Sequence, residues 1–151
     1  MKVTRWVLRR EGGGDSSDLS DGWFNDTCYL LSLINVMEKN HDKAVKLLEY
    51  IDEEETLINS TVLLEMLNRL KKKRYEKYRD TIINLIYNID NIHYLTPEDY
   101  NNSLNTCKYY DFNINFSDCT IIESMKRFNV THIVSFDSDF DKANDIKRIY
   151  L

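Results

Sequence analysis

The chain has 151 residues, 42% of them hydrophobic, and a single proline, the size of one globular domain that can bury its own core. Asp and Glu outnumber Lys and Arg by 25 to 20, for a net charge of −5, so the molecule as a whole does not attract phosphates, and a nucleic-acid ligand would need a local basic patch or metal ions. Cys28, Cys107 and Cys119 are widely spaced and odd in number, which indicates neither a disulfide framework nor a zinc site but buried free thiols in a reducing cytoplasm.

The longest uncharged run, residues 27–37, is short of the ~20 apolar residues of a membrane span, and no signal-peptide core is visible at the N-terminus. A cytoplasmic location without membrane contact is expected. All four glycines lie in the first 22 residues, "MKVTRWVLRREGGGDSSDLSDG". The triple glycine with its Asp and Ser neighbours has the composition of a flexible linker. Residues 1–22 therefore read as an extension, whether natural, from an upstream start or appended in cloning, and residues 23–151 as the domain.

From Trp23 on, short apolar stretches alternate with helix-length patterns, which predicts α/β class with a mainly parallel central sheet. In chain order the spacing predicts a strand over Trp23–Asn25, helices over 27–37 and 42–51, and a strand over Thr56–Asn59. Helices over 61–71 and 75–87, a strand over 92–95 and a helix over Pro97–Tyr109 follow, then a helix over 118–128 and strands over 131–136 and 146–150. The best-marked helix start is "TPED", where Thr96 can cap, Pro97 suits the first helical position and Asp99 completes a capping box.

In a parallel βαβ unit the end of each strand and the first turn of the next helix share the sheet's carboxyl edge, where open α/β sheets bind ligands. Asp26 follows the first strand, Glu65 lies in the opening turns of "STVLLEMLNRL", Asp118 opens "SDCTIIESMKRF", and Asp137 follows "THIVSF" with Asp139 and Asp141 close behind. Carboxylates about 4 Å apart repel by about 4 kcal/mol at the effective dielectric of a protein surface, so acids gathered at one rim call for a cation. Hard divalent ions, Mg2+ or Mn2+, take oxygen ligands, and bound to phosphodiester oxygens they activate water for in-line attack. Asp26, Asp118, Asp137 and Asp139 are the expected ligands, and Thr27 and Ser135 could hydrogen-bond ligand waters or a phosphate.

Each acid also has a plainer explanation. Asp118 alone could serve the helix dipole, yet it falls on the apolar stripe of Ile121, Ile122, Met125 and Phe128, where a solvated acid is unexpected. Glu65 could pair with Arg69 at i,i+4, and Asp139 and Asp141 could be solvated loop acids.

These segments resemble the PIN-domain nucleases, and among them the VapC-like toxins of toxin–antitoxin pairs. The resemblance rests on "FNDTCYLLSLIN", "INSTVLLEML", "IHYLTPEDY" and "FSDCTIIESMKRFNVTHIVSFDSDFD" in that order, covering residues 23 to about 150. It implies a three-layer α/β/α domain of strand order 3-2-1-4-5 and an Mg2+- or Mn2+-dependent endoribonuclease directed at single-stranded RNA. It maps the family's acids onto Asp26, Glu65, Asp118 and Asp137, with Asp139 a further one, and implies a homodimer neutralised by an antitoxin protein. The short first strand, polar at Asn25, and the N-terminal extension depart from the family pattern.

The run "RLKKKRYEKYRD" brings Lys71, Lys72, Lys73 and Arg74 together with Tyr75 and Tyr78. That suits phosphate tracking and base stacking, or simply a solvated corner. His132 reads as a packed strand residue, and His41 and His93 as isolated from any carboxylate or Cys at ligand spacing. No Ser–His–Asp arrangement is visible. Two other readings compete with a nuclease: an inactive PIN-like module binding RNA or protein, and a phosphoacceptor receiver-like domain. The latter expects paired acids after its first strand and a late Lys, where this chain has Asp26 alone and more acids.

Overall fold

The computed structural model describes residues 18–51 and 54–151; the linker reading of Gly12–Gly14 lies outside them. Among the described residues five short strands form the centre: β1 (Trp23–Asn25), β2 (Thr56–Asn59), β3 (Asn91–His93), β4 (His132–Val134) and β5 (Lys147–Ile149). Phe24, Leu57, Ile58, Ile133 and Val134 are fully buried, as expected of inner strands covered on both faces. All pairings are parallel and the order is β3-β2-β1-β4-β5. The chain builds outward from β1 in one direction through β2 and β3, then in the other through β4 and β5. The topological switch point, where such sheets bind ligands, thus lies at the carboxyl ends of β1 and β4.

Among the described residues six helices complete the three-layer α/β/α arrangement: α1 (Thr27–Ile34), α2 (His41–Ile51), α3 (Ser60–Asn68), α4 (Arg79–Tyr87), α5 (Pro97–Tyr109) and α6 (Phe116–Arg127). Asp26 caps α1, Asn59 caps α3, and Thr96 with Asp99 forms the expected capping box of α5. Helix α1 stops at Ile34 rather than residue 37 because Asn35 turns extended (ψ 110) and its side chain accepts a bond from Met37 N. The helices expected over 61–71 and 75–87 are separated by two short 3-10 turns, Arg69–Lys71 and Lys73–Tyr78, with Lys72 extended between them. Arg69, Lys71, Lys73, Arg74 and Lys77 would stack like charges three and four apart on a continuous helix, which destabilises it.

Ahead of β1, Leu19 is buried in the core and its N–H donates to Phe128 O. Gly22 follows in a tight approach: a Cβ there would lie 3.0 Å from Leu19 O and 3.1 Å from Glu55 O. Cys107 and Cys119 are buried free thiols between α5 and α6. Among the described residues no helix is long and apolar enough to cross a membrane.

Candidate metal centre

The junction of β1 and α1 places Asp26 at the switch point, 6% exposed. Its Oδ1 accepts from Thr27 N (2.8 Å), while Oδ2 accepts from Ser135 Oγ (2.6 Å) and the Cys28 thiol (3.3 Å). Ser135, fully buried just beyond β4, also accepts from Asp137 N at 3.0 Å. One hydroxyl therefore ties the end of β4 to the end of β1. Asp137 caps the 3-10 turn Ser138–Lys142 by accepting from Asp139 N at 2.9 Å, and Asp139 in turn meets Lys142 Nζ at 2.8 Å.

Asp118 is the third residue of α6 and is 9% exposed. One carboxylate oxygen each from Asp118, Asp137 and Asp139 lie within 4.8 Å of one another. Asp26 stands outside that trio but acts on it. Burial first, then the charges of Asp26, Asp137, Asp139 and Glu65, push Asp118 up to about 7. Burial also raises Asp26, against the hydrogen bonds from Ser135, Cys28 and Thr27 that lower it, while the Glu65 charge raises it further. Glu65, half-buried on α3, is thus felt by both acids without joining the trio. Asp141 belongs elsewhere: Arg148 pairs with it at 2.8 Å and holds its carboxyl below the usual range.

The donor set suits a hard cation. It consists of carboxylate oxygens, and two buried oxygens beside Asp26, Asn25 Oδ1 and Thr27 Oγ1, have no protein hydrogen-bond partner. Buried polar atoms in that state are normally satisfied by water or a ligand. Sequence reasoning had no role for Cys28, whose thiol touches both Asp26 and Ser135 and accepts from Phe136 N. Its position in the first turn of α1, two residues past Asp26, was the available signal. Burial and the Asp26 charge push that thiol up to about 12, so it stays protonated.

Two sequence expectations need correction. Tyr75 is fully buried and donates to Glu38 Oε1 at 2.7 Å, so it cannot stack on a base. Its aromatic ring is part of the core, whereas Lys71, Lys72, Lys73 and Arg74 are exposed. His93 is not isolated: its Nδ1 lies 2.8 Å from Ser124 Oγ and its Nε2 3.1 Å from Asp99 Oδ2. That is a Ser–His–Asp sequence of contacts, but Ser124 is 0% exposed, and a nucleophile must reach its substrate. His132 is packed as expected, stacked on Trp23 with ring centroids 5.4 Å apart.

Residues 24–146 match the family model of the PIN domain. No curated protein matches the chain in sequence. Among solved structures it is similar to VapC20 of Mycobacterium tuberculosis, a Sarcin-Ricin loop cleaving toxin, with 16% identity and a TM-score of 0.73 over 86% of this chain and 100% of that one. It is also similar to VapBC2 from Rickettsia felis bound to a promoter DNA fragment (15%, TM-score 0.65, 85% and 98% of the two chains). A toxin-antitoxin complex from Klebsiella pneumoniae is a third (16%, TM-score 0.59, 83% and 95%).

Proposed function

The chain belongs to the PIN domain family, and from that premise we propose that it is a divalent-metal-dependent endoribonuclease cutting single-stranded or loop RNA, the toxin of a type II toxin–antitoxin pair. The observation that carries the reading is the convergence of Asp118, Asp137 and Asp139 to within 4.8 Å, with Asp26 beside them, at the switch point of the sheet. Asp118, Asp137 and Asp139 would hold Mg2+ or Mn2+ with Asp26, and the ion would supply a polarised phosphodiester and an activated water.

The chain's own residues have separate tasks. Ser135 and Thr27 N orient the Asp26 carboxylate, and the free Thr27 hydroxyl faces the task of bonding a ligand water or phosphate oxygen. Asp118 holds a proton near neutral pH that a cation would displace. Glu65 adds negative charge from α3. Phosphate contacts would fall to Lys71, Lys72, Lys73 and Arg74, a reading that their exposure supports. In the cytoplasm an antitoxin protein would cover the acidic rim, as the similarity to a toxin-antitoxin complex supports. For a homodimer, Leu64 and Leu67 of α3 and Tyr100 and Leu104 of α5 offer exposed apolar side chains to a second copy.

The test is incubation of end-labelled RNA with the purified protein in Mg2+, Mn2+ or EDTA, beside Asp26→Asn. Cutting that needs the metal and is lost in the variant is the expected result. Equal inertness of both proteins with either metal, in a preparation free of bound antitoxin, contradicts it and moves an inactive RNA- or protein-binding module ahead.

A further inference from the structure

Helix α6 carries Asp118 into a rim where four other acids repel it, so something must hold that helix in place before any cation arrives. Its inward face carries hydroxyls rather than only apolar groups: Thr120 and Ser124, 1% and 0% exposed. Asn59, also 0% exposed, caps α3 by accepting from Val62 N with Oδ1. Its Nδ2 donates to Thr120 Oγ1 (3.3 Å) and Ser124 Oγ (3.1 Å). Thr120 Oγ1 donates to Ser117 O at 2.6 Å and lies 2.8 Å from Thr61 Oγ1 on α3. Ser124 meets His93 Nδ1, and His93 Nε2 faces Asp99, which Arg127 grips from the end of α6 at 2.8 Å.

With His93 neutral, as its burial favours, one proton on each hydroxyl and two on the amide leave one arrangement that satisfies this network. The Nε2 that faces the Asp99 carboxylate must carry the ring proton, so Nδ1 accepts from Ser124. Ser124 then accepts one Asn59 amide hydrogen. Thr120 accepts the other, together with the Thr61 hydroxyl. Every hydrogen of the network then has an acceptor, and any slide or rotation of α6 against α3 would strand a buried amide hydrogen. An apolar contact of the same area would tolerate such a slide. The placement of the network matters as much as its completeness: Thr120 lies two residues after Asp118, and Thr61 one helical turn before Glu65.

We infer that the Asn59–Thr61–Thr120–Ser124 network, braced by His93 and Asp99, is a strut of positioning residues that sets Asp118 of α6 against Glu65 of α3 and so fixes the metal-binding geometry. The metal part rests on the nuclease reading; the holding of α6 does not. Partners that hydrogen-bond a metal ligand directly alter metal affinity by about 10- to 100-fold when removed; the strut acts through the helix that carries the ligand, so the lower end of that range is expected.

The test compares Thr120→Val, which keeps the shape and removes the hydroxyl, with Thr120→Ser, which keeps the hydroxyl. Thr61→Val breaks the same contact from α3, should Thr120→Val not fold. Two readouts are needed: the Mn2+ dissociation constant by calorimetry, and metal-free amide hydrogen exchange across residues 116–124. Thr120→Val is expected to bind Mn2+ about tenfold more weakly and to exchange faster in the first turns of α6, with Thr120→Ser close to wild type on both. Wild-type Mn2+ affinity in Thr120→Val overturns the metal-positioning role, and wild-type exchange overturns the strut itself. If the wild-type protein binds no Mn2+, the nuclease reading falls, and exchange alone decides whether the strut holds α6.

Discussion

Asp118→Asn is expected to make the metal-free protein more stable at pH 8 while removing its capacity to hold a catalytic cation. Asp118 is 9% exposed and its carboxyl is pushed up to about 7, by burial first and by the charges of Asp26, Asp137, Asp139 and Glu65 after it. Between the unfolded value of 3.8 and the folded value of about 7 the folded state binds the extra proton. Stability therefore falls as pH rises through that window. The penalty is absent below about pH 4, complete above about pH 7, and on the order of 4 kcal/mol from a shift of about three units at 1.36 kcal/mol each. Against a total of about 5–15 kcal/mol for a domain, that is a large fraction.

An amide in place of the carboxyl removes the charge and leaves the shape. Urea unfolding of both proteins in EDTA at several pH values is the measurement. The variant's advantage should grow from near zero at pH 4 to its full size at pH 8. His93 titrates in both proteins and largely cancels in the difference. A variant no more stable than wild type at pH 8 would mean that Asp118 is not strained by its neighbours.

Asp99→Ala should destabilise the domain by about 3 kcal/mol, the size seen when one member of a buried, paired charge group is lost together with a helix cap. Asp99 is 3% exposed, and five contacts from three residues converge on its carboxylate: Thr96 N and Oγ1 at 2.8 and 3.0 Å, His93 Nε2 at 3.1 Å, and Arg127 Nε and Nη2 at 3.1 and 2.8 Å. Burial alone would raise its carboxyl, but the Thr96 hydrogen bonds and the Arg127 charge hold it below the ordinary value, with His93 adding to them when it is protonated. Truncation removes the capping box of α5 and leaves His93 buried with an unpaired nitrogen. Arg127, at 36% exposure, can turn to water, which limits the loss. A urea midpoint that drops with unchanged slope is expected, whereas a loss under 1 kcal/mol would show the cluster to be dispensable.

The architecture was legible where local chemistry was unambiguous. Trp23–Asn25, Thr56–Asn59 and Pro97–Tyr109 form with the expected bounds because apolar runs and a Thr-Pro-x-Asp start leave little choice. Asp118 showed itself as an acid on an apolar stripe, and its burial follows from that register. The break between the helices over 61–71 and 75–87 is legible, but the helix ends on either side of it shorten to 3-10 turns because apolar periodicity carries no count of like-charge repulsion, and the burial of Tyr75 goes unsignalled with them. His93 and Ser124 lie 31 residues apart, and no spacing rule connects a strand end to the middle of a later helix. Only the crossing of α6 over the ends of β2 and β3 brings them together.

The most direct measurement is anomalous scattering from crystals grown or soaked with Mn2+. The account predicts a peak bounded by Asp118, Asp137 and Asp139, at about 2 Å from carboxylate oxygen, with Asp26 alongside. No peak there at saturating Mn2+, or a peak only at another site, would contradict it.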